Sequence, residues 1–183
     1  MFTTIKDKIQ FVSKHYQDSP DNSSDVTILG IGNLLMRDEG VGIHALNTLQ
    51  EFYTFSPDIN FIDGGTIGID LIPYFEECKK MIIIDAVDSQ EEPGFIATLA
   101  NEEIHYRFNT KLSLHHAGLS DVLSIIKLQE IAAPDMVLIG IQPQIVEMGL
   151  ELSGVVSDKM DNILSIIIEK LKEWEIECKP VNA

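Results

Sequence analysis

The sequence predicts an α/β domain, a sheet of about five strands covered by helices on both faces. Three observations carry this reading. Apolar runs of strand length alternate with stretches of helical periodicity. One of those runs, Met81 to Asp85 (MIIID), is continuous and rich in β-branched residues, as in a central parallel strand buried on both sides. Most polar candidate residues then fall just beyond the carboxyl ends of the runs, the edge where open parallel sheets bind ligands.

Each element follows from its pattern. Val26 to Ile31 is an apolar first strand. Val41, Ala45, Leu49 and Phe52 then form one stripe of a helix. Asn60 to Asp63 is a short second strand, stopped by Gly64 and Gly65. Ile67 to Tyr74 reads as helical and ends before Lys79 and Lys80. MIIID is the third strand. Gly94 to Leu99 is a fourth, the one expected to run antiparallel if any does. Leu119, Val122, Leu123 and Ile126 mark a helix, Met136 to Ile141 a fifth strand, and Met160 to Trp174 a final striped helix. Residues 1–25 stand apart as an N-terminal extension and linker. Ile5, Ile9 and Val12 have helical spacing there, and QDSPDNSSD is polar and turn-rich. Residues 26–183 are expected to form a single domain.

Composition narrows the function. The chain has 183 residues, 45% of them hydrophobic, and a net charge of −16. That is enough apolar material for a substantial core, and a field that repels phosphate backbones, so nucleic acid is an unsuitable partner. Metal cations or basic peptides suit it better. Cys78 and Cys178 have neither redox nor zinc spacing and read as reduced thiols. The first residues lack the apolar core of a secretory signal, and no apolar run approaches the roughly 18–20 residues of a membrane span. A soluble cytoplasmic protein without membrane contact is expected.

The strand-to-turn segment ILGIGNLLMRDEGVG invites a dinucleotide site, since Gly30-Ile31-Gly32 begins the G-x-G-x-x-G fingerprint. The third glycine position holds Leu35, however, and the ribose-binding acid would fall at Gln50 or Glu51, inside the helix; Asp63 comes too late. No P-loop lysine, G-x-S-x-G elbow or H-E-x-x-H is present. What remains is a set of oxygen and nitrogen ligands at three strand ends: Glu39, Asp85 and His115. Two carboxylates and one imidazole can hold a divalent metal and leave positions open. Each also has a plain structural explanation. Asp38 suits an N-cap, and Glu39 suits a first helical turn. Asp85 must emerge at the sheet edge or bear the cost of burial. His115 lies nearer the centre of the Leu119/Val122/Ile126 stripe than His116. His15, His44 and His105 read as structural or surface residues.

Taken together, these segments resemble the hydrogenase maturation proteases. The resemblance rests on GIGNLLMRDEGVG, on Asp63-Gly64-Gly65-Thr66, on Asp85 in IIIDAVD, on SLHHAGLSDVL from Ser113, and on Gly140-Ile141-Gln142-Pro143. Any one segment is weak; five in order are specific. The resemblance implies a twisted, mainly parallel five-stranded sheet sandwiched between helices. It implies an aspartyl-type endopeptidase activity that removes the C-terminal extension of a nickel–iron hydrogenase large-subunit precursor. It makes Glu39, Asp85 and His115 the metal-binding triad, and gives Asp63 a part in cleavage beside Glu39 and Asp85. The nickel would be carried by the precursor, with no tightly bound cofactor at rest, and the protease would be a monomer in transient complex with its substrate. Either a metal-activated water or a carboxylate such as Asp63 could cleave the bond. A peptidase for another precursor, or a non-catalytic metal- or nucleotide-binding module, is the competing reading. The N-terminal 25 residues depart from the family pattern.

Overall fold

A computed structural model describes residues 24–66, 68–101, 103–104, 119–128 and 135–181. The strands are β1 (Val26–Ile31), β2 (Tyr53–Ser56), β3 (Asn60–Gly65), β4 (Lys80–Ala86), β5 (Ile96–Ala100), β6 (Asp135–Ile141) and β7 (Glu177–Pro180). The helices are α1 (Val41–Phe52), α2 (Ile72–Glu77), α3 (Leu119–Leu128), α4 (Gly154–Ser157) and α5 (Met160–Glu173), with 3-10 turns at Arg37–Gly40 and Ile69–Leu71.

Five strands make the main sheet, in the order β3-β1-β4-β6-β5. β1 pairs in parallel with β3 and β4, β4 pairs in parallel with β6, and β5 closes the edge antiparallel to β6. This matches the expected mainly parallel sheet, and the strand that could run antiparallel, Ile96–Ala100, does so. β1, β4 and β6 are apolar along almost their whole length because both of their faces are covered.

The two faces fill separate cores. Ile28, Ile82, Ile84 and Ile139 pack with Val41, Leu46 and Leu49 of α1 and with Ile163, Ile167 and Leu171 of α5. Leu29, Met81, Ile83 and Leu138, which alternate with the first set along the strands, pack with Phe75 of α2 and Val122, Leu123 and Ile126 of α3. Burying a side chain of this size stabilises by roughly 1.5–3 kcal/mol, so the two rows, rather than local propensity, fix the strand register.

The sequence reading omitted one element. Tyr53–Ser56 and Glu177–Pro180 pair antiparallel as a two-stranded ribbon outside the main sheet. Of the segment expected to be helical, Ile67 lies outside the described residues, and Ile69–Leu71 form a 3-10 turn followed by the short helix α2, whose Pro73 occupies the first turn where its missing N–H is harmless. The N-terminal extension up to residue 23, with Ile5, Ile9, Val12 and His15, lies outside the described residues. No helix among the described residues is long and apolar enough to cross a membrane.

Candidate functional site

Chain order and strand order place the site. From β1 the chain passes through α1 to β3 on one side, then through α2 to β4 on the other side of β1. The carboxyl ends of β1 and β4 therefore flank the point where the winding reverses, the crevice in which open α/β sheets hold ligands. The turn after β1 carries Glu39, and Asp85 stands near the end of β4. Asp63 stands near the end of β3, the neighbour of β1 on its other side. The loop after β6 completes this edge.

Close backbone approach shapes the β1 side. Gly32 has φ +139, and a Cβ there would collide with the carbonyl oxygen of Glu39. Its N–H donates to the Gly65 carbonyl at 2.8 Å, which ties the turn to the end of β3. A Cβ on Gly42 would meet the carbonyls of Ile84 and Ile31, so α1 starts directly against the ends of β4 and β1. The Gly-x-Gly segment that resembles a nucleotide turn in fact lets the 3-10 turn bearing Glu39 press onto the sheet edge. Glu39 itself is partly exposed.

Asp38, one residue earlier, is fully buried and is not the helix cap expected of it. Gly40 occupies the N-cap of α1, with no side-chain cap bond. The Asp38 carboxylate reaches the loop after β6 instead. It accepts from the backbone N–H groups of Gln144 and Ile145, both at 2.9 Å, and of Ser153 at 2.6 Å, and from the Ser153 hydroxyl at 2.8 Å. Burial pushes its pKa up, but the hydrogen bonds from Ser153, Ile145 and Gln144 outweigh that and hold it below its ordinary value. Ser153 also caps α4, accepting from the Val156 N–H.

Asp85 is fully buried, opposite Gly140 of β6 in the parallel register. It continues the row of Met81 and Ile83, which faces α2 and α3. Asp63 is half-buried, and its Oδ1 accepts from the Gly65 N–H at 3.0 Å. The register advances from Gly30 opposite Asp63 to Ile31 opposite Gly65, so Gly64 is an extra bulged residue. Ser113, His115 and His116 lie outside the described residues, as does His105. α3, which follows them in sequence, packs on the face toward which the Asp85 row points. Among the described residues, no three His, Cys, Asp or Glu side chains form a group that could hold a metal ion.

Other polar residues of this edge hold the loops. Gln142 Oε1 accepts from the Ser89 N–H at 2.8 Å and the Ser89 hydroxyl at 3.0 Å, and its Nε2 donates to Asp88 at 3.3 Å. His44 is half-buried in α1. Both cysteines are free thiols; burial raises Cys78 to about 11, which leaves it protonated and inert at neutral pH.

Comparison with known proteins gives the same answer from three directions. The family model for hydrogenase maturation proteases matches residues 43–170. The hydrogenase 2 maturation protease of Escherichia coli K12 is 30% identical over 159 residues, covering 86% of this chain and 97% of that one. The hydrogenase expression/formation protein HupD of Rhodobacter capsulatus is 33% identical over 154 residues, covering 83% of this chain and 73% of its own. Among solved structures, the hydrogenase maturating endopeptidase HybD of E. coli superposes with a TM-score of 0.79 at 30% identity, over 86% of this chain and 98% of that chain. The NiFe hydrogenase maturation protease HybD of Thermococcus kodakarensis gives 0.66 at 30% identity, over 80% and 97%.

Proposed function

The chain belongs to the hydrogenase maturation protease family, and from that membership we propose how it acts. It is an endopeptidase that processes a hydrogenase large subunit. In the proposed reaction it removes the C-terminal extension of a nickel–iron hydrogenase precursor after nickel insertion. Glu39, Asp85 and His115 complete the coordination of the precursor's nickel, so that recognition reads a loaded metal rather than a long peptide sequence. The nickel arrives with the substrate, and the protease needs no cofactor of its own. It works as a cytoplasmic monomer in transient complex with the precursor.

The observation that carries this reading is the reversal of winding between β1, whose following turn contains Glu39, and β4, near whose end Asp85 stands. The direction of the Asp85 row supports His115 as the third ligand, since that row faces the helix that follows His115. Oxygen and nitrogen donors of this kind suit nickel. Asp63, fixed at the β3 bulge, is the proposed general base, with a water polarised by the precursor's metal as the other route.

The test is release of the C-terminal peptide from purified nickel-loaded precursor, followed by mass spectrometry, with Glu39→Ala, Asp85→Ala and His115→Ala. Each is expected to lower the rate by about 100-fold or more, at least the effect of disturbing the surroundings of a metal ligand. Normal processing by these variants rejects the triad. A thermal shift with nucleotides but none with precursor favours the binding-module reading instead.

A further inference from the structure

On the rim of the site, the loop after β6 lies against the turn after β1, and their contact leaves apolar side chains in solvent. Met36 and Gly149 form an isolated parallel bridge. The Arg37 N–H donates to the Gly149 carbonyl at 3.0 Å, and the Gly149 N–H to the Leu35 carbonyl at 2.9 Å. In a parallel pairing the residues just before the bridge, Leu35 and Met148, fall side by side. Leu35 is 61% exposed and Met148 88%, with Val146 of the same loop at 42%. Single exposed apolar residues are ordinary. Several on two adjoining segments mark a binding surface.

These segments are firmly held. The Asp38 carboxylate pins the loop at Gln144, Ile145 and Ser153. The Asp38 N–H donates to the Ile145 carbonyl at 3.2 Å. Arg37 pairs with Glu147 at 3.1 Å. Arg37 also adopts φ 51, a left-handed conformation uncommon outside glycine, and its stem lies over Gly149. The fold thus fixes Leu35, Val146 and Met148 in water instead of letting them collapse onto the core.

We propose that this lip is a docking surface for the hydrogenase large-subunit precursor, taking an apolar patch rimmed by basic residues next to the extension that is cut. The proposal rests on the reading of this chain as that precursor's protease. Two observations choose the occupant. Leu35 belongs to the same turn as Glu39, so the lip is continuous with the crevice a substrate must enter. The Arg37 charge at the lip is answered by Glu147, Glu151 is exposed further along the same loop, and the chain carries −16, so a second copy of this chain is repelled whereas a basic rim is attracted.

The experiment uses the full-length chain and purified nickel-loaded precursor. The double variant Leu35→Ser/Met148→Ser is expected to raise KM about tenfold with kcat within about twofold, the pattern of lost uniform binding, and without loss of Tm. In hydroxyl-radical footprinting, Met148 should oxidise readily in the free chain and about fivefold less with saturating precursor. An unchanged KM, or a fall in kcat alone, overturns the docking role while wild-type cleavage leaves the protease reading intact. Failure of the wild type to cleave the precursor removes the protease reading, and the docking surface with it. Met148 already shielded in the free chain would assign the lip to the chain's own residues and overturn the proposal.

Discussion

Asp38 and Glu39 are neighbours in sequence and opposites in use. Asp38 is buried, and its carboxylate is taken up by donors from the loop after β6. Glu39 is partly exposed, in the 3-10 turn between β1 and α1. One acid holds the rim together; the other is the one proposed as a ligand to the precursor's nickel. A carboxylate pair in a motif need not act as a pair. Burial and the source of its hydrogen bonds decide what each acid does.

Variants at the two positions should therefore fail in different ways. Glu39→Gln is expected to lower kcat/KM on nickel-loaded precursor by about 100-fold while Tm stays within about 2 °C of wild type. Peptide release and a thermal melt measure both. An equal loss of stability would erase the distinction drawn here. Asp38→Ala strips the acceptor from two buried donors of Ser153 and two part-buried backbone N–H groups, and should cost roughly 3–5 kcal/mol. That corresponds to a fall in Tm of about 10 °C for a domain of this size, read by calorimetry, with cleavage reduced through loosening of the rim.

The same contrast has a pH signature. The Asp38 pKa is lowered in the folded chain because hydrogen bonds from Ser153, Ile145 and Gln144 outweigh the upward push of burial. Its contribution to stability is thus fully present above the ordinary aspartate value of 3.8 and is lost as pH falls through the lower folded value. Urea denaturation should show the gap between wild type and Asp38→Ala closing as pH falls below about 4. A gap that stays constant would mean the carboxylate is not the source of the stability. The smallest effect is expected at the outer ion pair. Glu147→Gln removes a contact to Arg37 whose acid is largely exposed, and should change stability by at most about 0.5 kcal/mol.

The sequence reading succeeded where structure follows a local period. β1, α1, β4, β6 and α5 stand where their apolar patterns put them, because strand alternation and helical stripes are imposed by the two cores that they fill. It failed where the partner is remote. The ribbon of β2 and β7 is four residues on each side, and Tyr53 meets Pro180 only in the folded chain. Asp38 reads locally as a cap, yet its donors lie more than one hundred positions away. Gln142 likewise sits after a strand, where ligands are sought, but is taken up by the loop at Ser89. The glycines show the intermediate case. Their presence is legible, but their purpose, letting α1 and the Glu39 turn touch the strand ends, depends on contacts made only in the folded chain.

The central claim is that the crevice between β1 and β4 reads the precursor's nickel. Its most direct test compares the rate at which the wild-type chain releases the C-terminal extension from nickel-loaded and nickel-free forms of the same precursor. The loaded form should be cleaved, and the nickel-free form at a rate at least about 100-fold lower. Equal rates on both would contradict it.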